Sequence, residues 1–100
     1  MTLEHLTPKQ KKEHYGRVAR LGCILCKYIG HETDDSGCEI HHIRRAGRRS
    51  DAIVIGLCTY HHRGSNTSIH GMGRKRFERE YGVSEEQLHE QTLELIGDRT

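Results

Sequence analysis

Apolar residues recur with helical spacing towards both ends of the chain, whereas the middle carries short β-branched runs. Residues 7–10 (TPKQ) combine a hydroxyl cap, a proline at the first helical position and a glutamine three residues after the cap, which predicts a helix from Pro8 to about Leu21. Residues 83–88 (VSEEQL) repeat the capping pattern and predict a last helix that ends before Gly97. Both ends of the chain are therefore expected to be helical.

The middle of the chain favours strands. The runs 38–43 (CEIHHI) and 52–57 (AIVIGL) are short and β-branched, and the arginine- and glycine-rich segment 44–50 joins them, which predicts two paired strands with a long connection. Residues 64–66 (GSN) then interrupt the chain, and a basic helical stretch that ends at Gly82 follows. The pattern predicts a small α+β domain.

Length and composition limit the size of the core. The 100 residues make a single domain, 1–100, and only 33% of them are hydrophobic. A chain of this size buries roughly two thirds of the surface that its unfolded form exposes, so this core needs a metal or a partner for stability. The N-terminus has no apolar signal segment, which predicts a reducing cytoplasm, and no apolar run approaches the roughly 20 residues of a membrane span.

Two pairs of metal-type residues share the two-residue gap at which both side chains of a turn reach one tetrahedral ion. They are Cys23-x-x-Cys26, expected to form a tight turn, and Cys58-x-x-His61. In a reducing compartment such residues indicate metal binding before disulfides. We therefore predict one structural Zn²⁺. His61 is preferred as the fourth ligand because its spacing mirrors that of the first pair, and Cys38 is the alternative.

The chain has more histidines than one zinc site uses. The doublets His41-His42 and His61-His62, with His70 further on, predict a second site. A metal-assisted phosphodiester hydrolase needs a general base with a pKa near neutrality and two or three ligands that hold a divalent ion with open coordination positions. It also needs cations that bind the backbone phosphates. These histidines are candidates for the first two tasks.

The net charge is only +2, but basic residues concentrate in the middle of the chain. Residues 37–76 carry eight Lys or Arg and two acids, whereas residues 77–100 carry seven acids and two arginines. Because the excess coincides with the histidines, we predict a phosphate-binding surface. Its residues are Arg44, Arg45, Arg48, Arg49, Arg74, Lys75 and Arg76.

The order of these motifs resembles that of the HNH, or ββα-metal, nucleases, and more narrowly the phage Ref family of recombination enhancement nucleases, which act on DNA held by RecA. The resemblance covers about residues 21–96 and rests on Cys-x-x-Cys, Ile-His-His, the glycine/arginine loop, Leu-Cys-x-x-His-His, Ile-His-Gly and the Lys/Arg helix. It implies a zinc-stabilised ββα-metal domain, with a core helix opening at Thr59 and flanking N- and C-terminal helices. It further implies DNA cleavage with Mg²⁺ or another divalent ion, a RecA filament as partner, and the bacterial host cytoplasm if the protein is phage-encoded.

The resemblance also implies a role for each residue of the second site. His42 would be the general base, and Asp51 would take the orienting role that an asparagine has in the family. His41, His62 and His70 would hold the catalytic ion.

A different class of protein fits the same residues. A non-catalytic zinc module that binds DNA or protein would use the second histidine set as another structural site. Two structural sites would each be closed by four protein ligands, whereas a catalytic ion keeps positions open to water. The residues alone leave this choice, the preferred DNA form and the oligomeric state open.

Overall fold

The computed structural model describes residues 3, 5–30, 38–43, 52–64 and 68–97. In these ranges a two-stranded sheet is surrounded by helices. The elements in chain order are α1 (Pro8–Leu21), α2 (Ile24–Ile29), β1 (Glu39–Ile43), β2 (Ile53–Leu57), a π-helical turn (Tyr60–Gly64), α3 (Ile69–Met72), α4 (Arg74–Tyr81) and α5 (Glu85–Ile96).

The predicted bounds of the first and last helices are confirmed because both capping boxes form. Thr7 Oγ1 accepts the Gln10 N–H at 3.1 Å, and Gln10 Oε1 accepts the Thr7 N–H at 2.9 Å. Ser84 and Gln87 make the same reciprocal pair at the start of α5. Each box satisfies two backbone donors that a helix start leaves without an intrahelical partner.

The two predicted strands pair in antiparallel register, with His41 opposite Ile55 and His42 opposite Val54. Each strand begins one residue later than predicted, at Glu39 and at Ile53. The strand β1 runs regularly through both histidines, so their side chains point to opposite faces of the sheet.

One local prediction was wrong. The tight turn expected at the first cysteine pair is the start of α2, because Cys23 Sγ accepts the Cys26 N–H at 3.4 Å and takes the place of the usual oxygen cap. The basic helical stretch predicted to end at Gly82 is confirmed as α4, and the four-residue helix α3 precedes it. Gly73 separates them with φ +80° and ψ 163°, a backbone conformation that no helix contains.

The core forms around β2, all five residues of which are buried. Helices α1, α2 and α5 pack against this strand. Gly56 permits the closest approach, since a Cβ there would lie 2.7 Å from the Gly22 carbonyl oxygen and 2.8 Å from Cys38 Sγ. The largest fully buried apolar side chains are Phe77, Ile24, Leu25, Ile55, Leu57, Leu88, Val18 and Val54. Within the described ranges, no helix has the length and apolarity needed to cross a bilayer.

Candidate metal centres

Four side chains from three elements converge on one point, here called the thiolate site: Cys23, Cys26, Cys58 and His61. The first two lie at the start of α2, Cys58 directly follows β2, and His61 lies in the π-helical turn. His61 Nδ1 lies 3.7 Å from Cys23 Sγ, 3.4 Å from Cys26 Sγ and 3.3 Å from Cys58 Sγ. The sulfurs of Cys26 and Cys58 are 3.8 Å apart. The two predicted pairs therefore meet.

These distances fit a tetrahedral zinc ion. With Zn–S near ~2.3 Å and Zn–N near ~2.0 Å, two sulfurs on one ion lie ~3.8 Å apart, and a sulfur and a nitrogen lie ~3.5 Å apart. The observed separations match both values. Zinc would be held by His61 through Nδ1 and by three thiolates.

Without a bound ion, burial favours the protonated form of the thiols at this site. Burial raises the pKa of the Cys23 thiol, and burial followed by the contact with Cys23 raises that of Cys26. A bound cation reverses this preference, because it favours the thiolate form. Cys38, the alternative fourth ligand, has another contact: its thiol donates to the Ala19 carbonyl oxygen at 3.4 Å.

The second group, here called the histidine site, consists of His41, His62 and His70. Their ligand nitrogens all lie within 4.8 Å of one another, and the Nε2 atoms of His62 and His70 are 3.0 Å apart. Two nitrogens ~2.1 Å from one ion lie ~3.0 Å apart in octahedral geometry, so this pair fits adjacent positions on one divalent ion. His41 is buried and His70 is exposed, so the site extends from the core to the surface.

The π-helical turn explains how a histidine doublet serves two sites. His61 Nδ1 faces the three sulfurs, whereas the neighbouring His62 faces His70. Successive residues of a helical turn project in different directions, so each ring enters a different site. The turn is wide and closes Gly64 onto Thr59, where a Cβ on the glycine would lie 2.9 Å from the Thr59 carbonyl oxygen.

Two carboxylates contact the histidine site, and both were missed in the sequence. Glu39 Oε1 accepts the Nδ1 proton of His62 at 2.8 Å, which leaves Nε2 of that ring as its lone-pair nitrogen. Glu39 is itself held by Arg63, with Nη2 2.7 Å from Oε2. The hydrogen bond from Arg63, then that from His62, lowers the pKa of Glu39 to about 2. Glu39 is therefore ionised at neutral pH.

The second carboxylate is Glu85, the first residue of α5, whose Oε2 contacts Nε2 of the buried His41. Acidic residues are common in the first turn of a helix for electrostatic reasons alone, so Glu85 did not stand out from Glu86 in the sequence. Only the packing of α5 against the sheet distinguishes them. On the exposed side of the site, burial, then the neighbouring His62 and His41, lowers the pKa of His70 and favours the neutral imidazole that binds metals.

The remaining predicted residues fall in three places. His42 lies on the face of β1 opposite His41, with its ring 5.9 Å from that of Tyr15, and so is outside the histidine site. Exposed residues at the start of α4 are Arg74, Lys75 and Arg76. Those outside the described residues are Asp51, Arg44, Arg45, Arg48 and Arg49.

The fold and the two sites define a small α+β protein with two candidate metal centres, one rich in sulfur and one built from imidazoles. The chain belongs to the family described as recombination enhancement, RecA-dependent nuclease, whose sequence profile matches residues 7–96. No curated protein sequence and no solved structure matches the chain significantly. The family match supports a nuclease role in recombination, as the sequence motifs predicted.

Proposed function

We propose that this protein is a metal-dependent endonuclease of the HNH type, which hydrolyses phosphodiester bonds of DNA at the histidine site. The observation that carries the proposal is the convergence of three imidazoles at a partly exposed point, in a chain whose family is described as a RecA-dependent nuclease. A closed structural zinc site has four protein ligands, and the thiolate site fits that description. Among the described residues the histidine site has three, and an ion held by three protein ligands would keep positions for water and a phosphate oxygen.

The chemistry of the donors indicates which ion the histidine site prefers. Imidazole nitrogens suit zinc, iron, nickel and related ions, whereas Mg²⁺ prefers oxygen ligands. The side chains of the group are all histidines, and Glu39 and Glu85 each contact it through a histidine. We therefore propose a transition-metal ion in preference to Mg²⁺. A divalent ion held by His41, His62 and His70 would supply neutralisation of the charge on the phosphate and on the leaving oxygen.

The chain's own side chains supply the rest of the mechanism. His41, His62 and His70 would hold the ion, while Glu39 keeps the Nδ1 proton of His62 in place. His42 is proposed to take the proton of the attacking water, since an imidazole with a pKa near 6.5 is largely neutral at pH 7. His42→Ala tests this role directly, because His42 lies on the other face of β1 from His41.

Exposed cations near the histidine site are proposed to bind the DNA backbone. Helix α4 begins four residues after His70, so its first residue lies within about 14 Å of it along the chain. Its first turn carries Arg74, Lys75 and Arg76, has no acidic residue and has no side-chain cap. Cations oppose the dipole at a helix start, and a phosphate would relieve this repulsion. The arginines of segment 44–50 remain further candidates.

Cleavage assays test the proposal directly. The purified protein is incubated with supercoiled, linear, single-stranded and RecA-coated DNA, each with no added ion or with Mg²⁺, Mn²⁺, Co²⁺ or Zn²⁺. We expect cleavage that depends on a divalent ion and is greatest on RecA-coated DNA. His62→Ala should abolish it, while the control His5→Ala, which removes an exposed histidine outside both sites, should not. If the wild type cuts none of these substrates, the proposal is wrong and a binding module is the better interpretation.

A further inference from the structure

We propose that Glu85 is a positioning residue for the histidine site: its carboxylate accepts the Nε2 proton of His41 and leaves Nδ1 as the nitrogen of that ring that can bind an ion. The proposal rests on the proposed function, because it gives Glu85 a task at the same site. It also makes the C-terminal helix α5 part of that site.

His41 and Glu85 form a buried pair. The side chains of His41 and Glu85 are only 9% and 5% exposed, and Glu85 Oε2 contacts His41 Nε2. Burying a carboxylate costs free energy unless the group is hydrogen-bonded or paired with a cation. The contact with His41 Nε2 gives Glu85 such a partner. The position of Glu85 as the first residue of α5 adds the favourable field of a helix N-terminus.

Glu85 contacts the histidine site through His41. His41, His62 and His70 form one of the two groups of described residues whose ligand atoms all lie within 4.8 Å of one another, and Glu85 is not a member of it. A neutral imidazole that donates from one nitrogen has its lone pair on the other, so the carboxylate selects the tautomer of His41. A carboxylate behind a ligand histidine also fixes the orientation of the ring and raises its basicity.

A carboxylate also contacts the ring of His62, but at the other type of ring nitrogen, and this second example supports the proposal. Glu39 accepts from Nδ1 of His62, so the lone pair of that ring is on Nε2, the atom that lies 3.0 Å from His70. On His41 the roles of the two nitrogens are reversed: Glu85 accepts from Nε2, so the lone pair of that ring is on Nδ1. Two ligand rings are thus held in defined and opposite tautomers by carboxylates from β1 and α5.

The variant Glu85→Gln tests the role of the charge. The amide oxygen can still accept the Nε2 proton, so the shape of the contact is kept while the negative charge is lost. We expect calorimetric titration of the zinc-loaded protein with Mn²⁺ or Co²⁺ to show about tenfold weaker binding at the histidine site. We also expect kcat to fall while KM for DNA is unchanged. The control Glu86→Gln removes one carboxylate from the same helical turn and should match the wild type in both measurements.

A second measurement needs no variant of Glu85. Long-range proton–nitrogen NMR spectra of the wild type should show His41 protonated on Nε2 and His62 protonated on Nδ1. The signals of His41 are assigned by their loss in the variant His41→Gln. If His41 is protonated on Nδ1, the proposal is overturned, whether or not Glu85→Gln folds. It is also overturned if the wild type binds the ion and cuts DNA while Glu85→Gln does both equally well. If the wild type neither binds a second ion nor cuts DNA, the proposed function itself is wrong. The wild type is measured first, so this outcome is known before any variant is compared with it.

Discussion

At the scale of single residues, adjacent histidines have separate tasks. His61 joins the thiolate site and His62 the histidine site, although they are neighbours in the π-helical turn. On β1 the two faces of the strand separate His41 from His42. In each doublet one residue belongs to the histidine site, so substitutions within a doublet should have different effects.

The role of His42 can be tested by comparing it with its neighbour. We expect His42→Ala to lower the rate of DNA cleavage by about 10²-fold or more, because it removes the proposed base. Binding of DNA and of both metals should be kept, since His42 lies outside the thiolate and histidine sites. Single-turnover cleavage, together with metal analysis, checks this. A variant that cuts at the wild-type rate would show that another group takes the proton.

A buried histidine of α5, His89, should govern part of the pH dependence of stability. Burial, and then the neighbouring His14, lowers the pKa of His89 in the folded protein, and Glu86 opposes this shift. The unfolded chain therefore binds more protons as the pH falls below about 6.5, so the free energy of unfolding should decrease in that range and be fully recovered above it. Urea unfolding at several pH values with excess zinc measures the decrease.

His89→Gln is the matched variant for this prediction. It removes the titrating group, so its free energy of unfolding should depend less on pH between about 7.5 and 5.5 than that of the wild type. The comparison uses the slope with pH, because replacing a buried side chain can change stability at every pH. Equal slopes in the two proteins would assign the acid sensitivity to other groups.

At the scale of elements, short helices bring the functional residues together. Helix α3 is only four residues long, yet it presents His70 to the histidine site and leads directly into the basic start of α4. Tyr81, at the end of α4, lies 5.9 Å from the ring of His61. The segment from α3 to the end of α4 therefore contacts both candidate metal centres, through His70 and Tyr81.

The contribution of α4 to DNA binding is measurable through salt. Replacing Arg74, Lys75 and Arg76 together by Ala should weaken binding to all DNA sequences about equally and reduce the slope of log affinity against log salt by up to about three. The control replaces three exposed cations of α1, at positions Lys9, Lys12 and Arg17, and should leave the slope nearly unchanged. Fluorescence anisotropy at several salt concentrations gives both slopes. If the two triple variants behave alike, α4 is not the phosphate-binding surface.

At the scale of the whole molecule, the thiolate site joins elements that are distant in sequence. It ties the start of α2 to the end of β2 and to the π-helical turn, next to a core in which few aromatic residues are available. Apparent binding free energies of structural zinc in small domains are about 10–16 kcal/mol, comparable with the entire stability of a domain, roughly 5–15 kcal/mol. The fold is therefore expected to depend on this one ion.

Removal of zinc should unfold the protein. We expect about one tightly held zinc ion per chain as purified, and loss of helical circular dichroism when a strong chelator removes it. Cys23→Ser should have the same effect, because it removes a ligand. Cys38→Ser is the control and should be mild, because Cys38 donates only a weak hydrogen bond to Ala19. A chain that keeps its circular dichroism and its melting temperature without zinc would contradict this prediction.

The sequence by itself determined the parts of the protein that depend on neighbouring residues. The capping boxes at Thr7 and Ser84 act over three residues, so the bounds of α1 and α5 could be predicted. The two strands followed from short β-branched runs, and the two-residue spacing of Cys23-x-x-Cys26 and Cys58-x-x-His61 indicated their common site. Local signals failed where a cysteine replaced the usual helix cap, at Cys23.

Only the tertiary structure decided how the histidines are distributed and which carboxylates hold them. Glu39 is 23 residues from His62, and Glu85 is 44 residues from His41, so no local pattern connects either pair. Their contacts exist because β1 pairs with β2 and α5 packs against that sheet. The regular alternation of β1 places His41 and His42 on opposite faces, whereas the packing decided that the face with His41 meets His62 and His70. Sequence spacing reports which side chains can share a turn, whereas the packing of distant elements decides which of them share a site.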